Sequence, residues 1–145
     1  MTQITVLILT LLVATIAGVA LQRRAGKVRA TKASENTDSE RIELLSGVGV
    51  GTAGPTVLHF SADWCGPCAA VRRVVGQVVA ELERSPKPPA EVEVDIDEHP
   101  RLAKELGVLS LPTTFIFDSP TAEMFRISGV PTSADLRTAL VPLSS

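Results

Sequence analysis

Two cysteines three residues apart, Cys65 and Cys68, constrain this chain more than any other feature because of what surrounds them. The mostly apolar, β-branched run at residues 56–60 (TVLHF) precedes them and predicts a short buried strand. A helix is predicted over residues 67–84, where apolar side chains recur at helical spacing and form one stripe, namely Val71, Val74, Val75, Val78, Val79 and Leu82. The cysteines therefore stand at the junction of a buried strand and an amphipathic helix.

At such a junction the two thiols can close a small disulfide, and the first of them lies near the free amides and the positive end of the helix dipole. Both effects favour a thiolate on Cys65, and the thiolate is the attacking species in disulfide exchange. We therefore expect Cys65 to be the nucleophile and Cys68 to resolve the mixed disulfide. Gly66 and Pro67 shape the loop between them, and Pro67 lacks the amide hydrogen that a first helical turn leaves unpaired.

Two other roles are open to a Cys-x-x-Cys pair, half of a zinc site or a structural pair of buried cysteines. A zinc site within one chain would need His59 and His99 to converge on the thiols, and their spacing matches no common zinc finger. A metal shared across a dimer is the remaining metal alternative. We expect redox chemistry that needs no metal and no organic cofactor.

The rest of the pattern predicts alternating strands and helices that end in a hairpin and a helix. Strands are predicted at residues 91–96, 113–117 and 123–128, and helices at residues 100–106 and 133–140. Gly107 is the predicted end of the first of these helices, and Ser133 the predicted cap of the second. The order β-α-β-α-β-β-α predicts an α/β fold in which one central mixed sheet is flanked by helices.

The composition is typical of one folded domain and excludes several functions. The chain has 145 residues, of which 45% are hydrophobic, so a folded core is within reach. Its formal net charge of -2 removes the main argument for nucleic-acid binding, which requires a basic face to displace counterions from phosphates. With only two cysteines, one chain can form neither a disulfide-rich scaffold nor a four-cysteine zinc site.

Residues 4–21 (ITVLILTLLVATIAGVAL) carry no charge and predict a single transmembrane helix. As a helix, this stretch would span about 27 Å, close to the thickness of the hydrocarbon core. A cleaved signal peptide is the alternative, but nothing basic precedes residue 4. The positive charges follow instead, at Arg23, Arg24, Lys27, Arg29 and Lys32, and such a flank marks the cytoplasmic side. We expect a single-pass membrane protein whose folded domain is cytoplasmic.

Residues 23–53 separate the predicted anchor at residues 1–22 from the predicted domain at residues 54–145. This segment is basic, then polar, then rich in glycine, which is typical of a linker. Within it, residues 41–50 (RIELLSGVGV) fit either a short vestigial strand or a helical turn, and the pattern does not choose between them.

Residues 64–68 (WCGPC), at the end of a strand and the start of a helix, closely resemble the active-site motif of the thioredoxin family. The resemblance covers residues 55–143. Leu111 and Pro112 stand where that family has a cis-proline loop, and Gly129 stands where a glycine leaves room for a docked partner. The resemblance implies the thioredoxin fold, a loop at Leu111 and Pro112 that pairs with the substrate backbone, and Trp64 as a ring that shields the disulfide and contacts partners.

The chain departs from the family's pattern at His59. Thioredoxins usually carry a buried aspartate six residues before the first cysteine, which is credited with handling the proton of the resolving cysteine. A neutral His59 can accept the proton of Cys68, because histidine changes charge near neutral pH. The alternative is that His59 is a hydrogen-bonded core residue without a role in the chemistry.

These features together predict a membrane-anchored thiol-disulfide oxidoreductase that reduces protein disulfides through Cys65 and Cys68. Its partners would be disulfide-containing substrate proteins and an electron donor, either a reductase or a membrane electron carrier. One alternative is an outward-facing thiol oxidase or apocytochrome-reducing enzyme. A second is a membrane-attached adaptor, or a dimer that shares a metal, which uses the same surface without turnover.

Overall fold

The computed structural model describes residues 39–51 and 54–145, together with residues 6, 15, 29 and 30. The predicted membrane segment at residues 4–21 lies outside the described residues except for positions 6 and 15. Within the described part of the chain, none of the helices combines the length and the apolar character that crossing a bilayer requires.

One mixed sheet with helices on both sides forms the body of the protein. Its strands are β1 (Arg29–Ala30), β2 (Thr56–Ser61), β3 (Ala90–Asp95), β4 (Thr113–Ser119) and β5 (Ala122–Ser128). The helices are α1 (Ser39–Gly47), α2 (Cys68–Glu81), α3 (Pro100–Glu105) and α4 (Ser133–Leu140). The strand order is β1-β5-β4-β2-β3, with β2 and β3 parallel and the other neighbours antiparallel. The predicted central mixed sheet flanked by helices is confirmed.

All six residues of β2 are buried, because helices cover both faces of the sheet at its centre. Successive side chains of a strand point to opposite faces, so β2 contributes to two cores. On one face Leu58 and Phe60 pack in a cluster with Phe115 and Phe117 of β4. On the other face Val57 packs with residues of α2, α4, β4 and β5, namely Val71, Val75, Val78, Ile116, Ile127, Leu136, Ala139 and Leu140.

The stretch at residues 41–50 is helical rather than a vestigial strand. It forms most of α1, after which a turn brings the amide of Val50 to the carbonyl of Leu45 at 3.0 Å. Leu45 and Val50 are both fully buried in the cluster around Phe60. The segment predicted as a linker through residue 53 therefore also supplies core side chains, from residue 39 onward.

Two helix boundaries differ from prediction for local reasons. The cap of α4 is Thr132 rather than Ser133, since the Thr132 hydroxyl accepts a hydrogen bond from the amide of Asp135 at 3.1 Å. Helix α2 ends at Glu81 instead of residue 84, and Ser85 donates its hydroxyl to the carbonyl of Leu82 at 2.6 Å. The predicted end of α3 is confirmed, because Gly107 adopts a φ of +61° just beyond it.

A buried carboxylate ties α1 to the sheet. Glu123 of β5 is 4% exposed and accepts a hydrogen bond from Arg41 of α1 at 2.8 Å. Its other oxygen accepts from Arg126 at 3.1 Å, and the Arg126 guanidinium lies 4.6 Å from the centre of the Phe115 ring. A buried charge is tolerable only when it is paired in this way.

Replacing Glu123 by glutamine should lower the free energy of unfolding by about 2–3 kcal/mol, because Arg41 and Arg126 would then lack their shared counter-charge in a buried setting. Urea denaturation measures the change. Glu40→Gln is the matched control, since Glu40 pairs with Arg101 in solvent and should cost less than about 0.5 kcal/mol. Equal losses in the two variants would contradict a special role for the buried carboxylate.

Candidate active site

Cys65 and Cys68 form a disulfide in the turn that connects β2 to α2. The amide of Cys65 donates to the carbonyl of Ala62 at 3.0 Å, so the chain turns sharply as it leaves β2. Pro67 already has helical backbone angles, with φ -69° and ψ -15°, and α2 begins at Cys68. The disulfide is thus held against the first turn of α2, where unpaired amides and the helix dipole favour negative charge on sulfur.

The two sulfurs differ in their access to solvent. Cys68 is only 1% exposed, whereas Cys65 is partly exposed. The Cys68 sulfur lies 3.8 Å from the carbonyl oxygen of Phe60, which can accept a hydrogen bond from the Cys68 thiol after reduction. An incoming disulfide can therefore reach Cys65 but not Cys68, and this asymmetry matches the roles predicted for the two cysteines.

Trp64 stands at the rim of the site with 69% of its surface exposed. Its indole Nε1 donates a hydrogen bond to the carboxylate of Asp97 at 3.0 Å, and this bond orients the exposed ring. Trp64 also lines an open groove together with Leu109, which is 97% exposed. Two large apolar side chains in solvent beside a disulfide are suited to contact with another protein.

The residues predicted to dock substrate lie at the same end of the sheet as the disulfide. The Leu111–Pro112 peptide bond is cis, as predicted, and Pro112 directly precedes β4. The carbonyl of Pro112 accepts a hydrogen bond from the amide of Gly129 at 2.9 Å. Gly129 has a φ of +89°, a conformation in which glycine is favoured because it has no Cβ. Because Phe60 pairs with Thr113, this loop borders the turn that holds the cysteines.

His59 is buried beneath α2, on the face of β2 that also carries Val57. Its Nε2 lies 2.9 Å from Oε1 of Glu91 on β3, while among the described residues its Nδ1 has no hydrogen-bond partner. Sequence reasoning missed Glu91. The signal was present, since the alternation in residues 91–96 (EVEVDI) puts the acidic side chains on the face opposite Val92 and Val94.

An ion pair between Arg72 and Glu93 lies next to His59. Arg72 of α2 donates through Nε to both carboxylate oxygens of Glu93, at 2.9 and 2.8 Å. This hydrogen bonding lowers the pKa of Glu93 below its ordinary value, with smaller contributions from Ser61 and His59, although partial burial opposes the shift. The same contact raises the pKa of Arg72. The α2-facing side of β3 thus carries one ion pair at Glu93 and a hydrogen-bonded histidine at Glu91.

The surroundings of the two histidines bear on the zinc alternative. His59 is buried and bonded to Glu91, whereas His99 is exposed at the start of α3. Among the described residues no group of three or more histidine, cysteine and acidic side chains could hold a metal ion. Both sulfurs are engaged in the disulfide.

After reduction, iodoacetamide should alkylate Cys65 at least about tenfold faster than Cys68, because only Cys65 combines exposure with a position favouring thiolate. Peptide mass spectrometry of partially alkylated protein gives the ratio. The denatured protein is the control, in which the two thiols should react alike. Preferential labelling of Cys68 in the folded protein would reverse the assignment of roles.

Comparison with known proteins is consistent with this site. The family model described as Thioredoxin matches residues 48–141. The thioredoxin of Pyropia yezoensis is 38% identical over 79 residues, which cover 54% of this chain and 71% of that protein. The chloroplastic M-type thioredoxin of Chlamydomonas reinhardtii is 32% identical over 120 residues, or 82% of this chain and 79% of that protein.

Solved structures give the same answer for the fold. A mutant thioredoxin from Halobacterium salinarum superposes with a TM-score of 0.59 at 25% identity, covering 70% of this chain and 83% of that one. Oxidised mitochondrial thioredoxin 3 from Saccharomyces cerevisiae, at 23% identity, has a TM-score of 0.55 and covers 76% of this chain and 92% of that one.

The family model spans more than half of the chain, and the match includes the strand, the Cys-x-x-Cys turn and the helix that form the site. Thioredoxin relatives and the cysteine pair together support catalysis of thiol-disulfide exchange. The chain belongs to the thioredoxin family and is a thiol-disulfide oxidoreductase.

Proposed function

We propose that this thioredoxin-family enzyme reduces disulfides in other proteins while residues 4–21 hold it at a membrane. The observation that carries the thiol-disulfide exchange is the disulfide at the start of α2, with one sulfur accessible and the other buried. A reductase or a membrane electron donor returns the enzyme to its dithiol form. No bound cofactor takes part in this cycle.

The first step is an attack by the Cys65 thiolate on a disulfide of the substrate protein. A bond forms between Cys65 and one substrate sulfur, and the other substrate sulfur leaves as a thiolate that takes up a proton. The position of Cys65 at the start of α2 supports this step, because the helix terminus stabilises the thiolate. Gly66 and Pro67 keep the turn short enough for Cys68 to reach the mixed disulfide.

The second step releases the substrate. Cys68 attacks the sulfur of Cys65, so the bond between the two cysteines forms as the bond to the substrate breaks. Its proton passes to a base, and we assign that role to His59, which lies on the α2-facing side of β2. Two electrons have then passed from the cysteine thiols to the substrate disulfide.

Substrate docking is assigned to the surface around the disulfide. Leu111 and Pro112 would present the backbone that pairs with an extended substrate segment, and Gly129 would leave room for it. The exposed ring of Trp64 would cover the reacting sulfurs on the opposite side. The support for this assignment is that these residues surround the turn of the two cysteines.

Membrane attachment rests on the sequence. Residues 4–21 carry no charge over a length that matches a bilayer, and the basic residues that follow favour a cytoplasmic domain. Attachment would raise the effective concentration of the enzyme toward disulfides of other membrane-associated proteins.

In an insulin-reduction assay with dithiothreitol, the enzyme should turn over, and Cys65→Ser should reduce its activity to the background rate. Cys68→Ser should instead accumulate a mixed disulfide through Cys65, because the resolving thiol is absent. Non-reducing electrophoresis detects that adduct. The double variant is the control and should form none. Wild-type protein without turnover would favour the adaptor alternative.

Membrane fractions should retain the full-length protein after a carbonate wash, and deletion of residues 4–21 should release it. A membrane-impermeant thiol reagent, applied after mild reduction, should label Cys65 only in permeabilised cells. Labelling in intact cells would overturn the cytoplasmic orientation and favour an outward-facing oxidase or reductase. Recovery of the full-length protein in the soluble fraction would overturn the anchor itself.

A further inference from the structure

The hydrogen-bonded pair of His59 and Glu91 runs from the buried side of β2 to the edge of the sheet. The His59 side chain is 1% exposed, whereas the Glu91 side chain, on the edge strand β3, is 28% exposed. A Cβ built on Gly76 of α2 would lie 3.5 Å from Oε2 of Glu91. Helix α2 therefore passes close to the Glu91 carboxylate at Gly76, where a larger side chain would touch it.

This contact determines which nitrogen of His59 carries the proton. A neutral imidazole has one N–H and one bare nitrogen, while a carboxylate can only accept. With Nε2 at 2.9 Å from Oε1 of Glu91, the N–H lies on Nε2 and the lone pair on Nδ1. Nδ1 is then a proton acceptor held in a defined orientation.

Two buried polar atoms without hydrogen-bond partners lie on this face of β2 and β4 in the described part of the chain. Among the described residues, neither Nδ1 of His59 nor Oγ1 of Thr114 has a hydrogen-bond partner, although both are buried. Thr114 is directly opposite His59 in the ladder between β2 and β4. The Cys68 sulfur lies 3.8 Å from the carbonyl of Phe60, the residue next to His59. The buried thiol thus contacts the backbone of β2 one residue away from His59, whose Nδ1 has no hydrogen-bond partner among the described residues.

We propose that Glu91 is a positioning residue that holds His59 in the tautomer able to take the Cys68 proton and that balances the resulting imidazolium. The inference rests on the proposed role of His59 as proton acceptor. A carboxylate that orients a histidine and stabilises its charged form performs the same task in Ser-His-Asp triads. Glu91 does not touch the sulfurs.

The proton and the electrons balance in this step. The Cys68 proton moves to Nδ1, the Cys68 sulfur bonds to Cys65, and the substrate sulfur leaves with the electron pair of the broken bond. The imidazolium then donates from both nitrogens, and its positive charge lies beside the Glu91 carboxylate. It can lose its proton to solvent when the oxidised enzyme releases the substrate.

Other charges near His59 are already paired. Glu93, the next acidic side chain on the same face of β3, is bonded to Arg72 of α2. On β4 the residue opposite His59 is Thr114, which has no charge. Glu91 is therefore the carboxylate that is hydrogen-bonded to His59, and the ion pair of Arg72 and Glu93 provides a matched comparison.

Nitrogen-15 NMR of the oxidised protein tests the tautomer of His59. In this form both cysteines are in the disulfide, so no thiol titrates. Neutral His59 in the wild-type protein should show a protonated Nε2 and a bare Nδ1. In Glu91→Gln the preference for this tautomer should weaken, because the amide can donate to Nε2 as well as accept from it. Unchanged nitrogen shifts in Glu91→Gln would overturn the inference.

The rate of the resolving step gives a second readout. A mixed disulfide between Cys65 and a small thiol is prepared, and release of that thiol is followed against pH. In Glu91→Gln the limiting rate should fall by roughly threefold, as expected when the imidazolium formed in this step has lost its counter-charge. The double variant Arg72→Gln/Glu93→Gln is the matched control and should keep the wild-type rate, because it removes a whole ion pair and leaves the net charge beside His59 unaltered.

His59→Gln separates the two levels of the proposal. A slower resolving step in both His59→Gln and Glu91→Gln supports both levels. A slower step in His59→Gln with the wild-type rate in Glu91→Gln overturns only the role of Glu91. The wild-type rate in His59→Gln overturns His59 as the acceptor. Circular dichroism of each variant shows whether the fold is retained.

Discussion

The burial of β2 on both faces is the constraint on which the rest of the structure depends. All six of its residues are inside, so the strand needs a helix layer on each side and neighbours on both edges. The two core clusters divide its side chains between them, with Phe60 on one face and Val57 on the other. Where β2 ends, the chain leaves the core abruptly and forms the turn of Cys65 and Cys68 before α2 returns to cover the sheet. The reactive turn is therefore anchored at both ends by buried elements.

The outer side of the site is exposed to solvent, and the inner side is buried next to the acidic side chains of β3. Its outer side presents Cys65 and Trp64 to solvent, while the inner side holds Cys68 and His59 out of it. Behind them, two acidic side chains of β3 have partners, since Glu93 is neutralised by Arg72 and Glu91 is hydrogen-bonded to His59. An uncompensated carboxylate close to the sulfurs would oppose formation of a thiolate. The ion pair at Glu93 thus reduces the negative charge that the edge strand β3 presents to the thiol-disulfide centre.

The sequence predicted the elements that local residue patterns specify. It missed those that depend on contacts between residues far apart in the sequence. The strand at residues 56–60 and the valine stripe of α2 were predicted correctly because period and composition specify them locally. The cis bond before Pro112 was predicted from the resemblance to the thioredoxin family. Helix α1 was not predicted, since its nine residues have weak amphipathicity and it is stabilised by packing of Leu45 in the core. The burial of Glu123 and the contact of Glu91 with His59 were also hidden, because alternation gives the face of a strand but not the side chain that meets it from another element.

The position of the single tryptophan has a practical consequence. Trp64 adjoins Cys65 and is the only residue of its type, and the chain contains no tyrosine. Disulfides quench the emission of a neighbouring indole, and here no second strong fluorophore of the protein masks the change. The molecule therefore carries a built-in optical reporter of its own oxidation state. Intrinsic fluorescence can follow the gain and loss of its electron pair in real time, without any dye attached to the thiols under study.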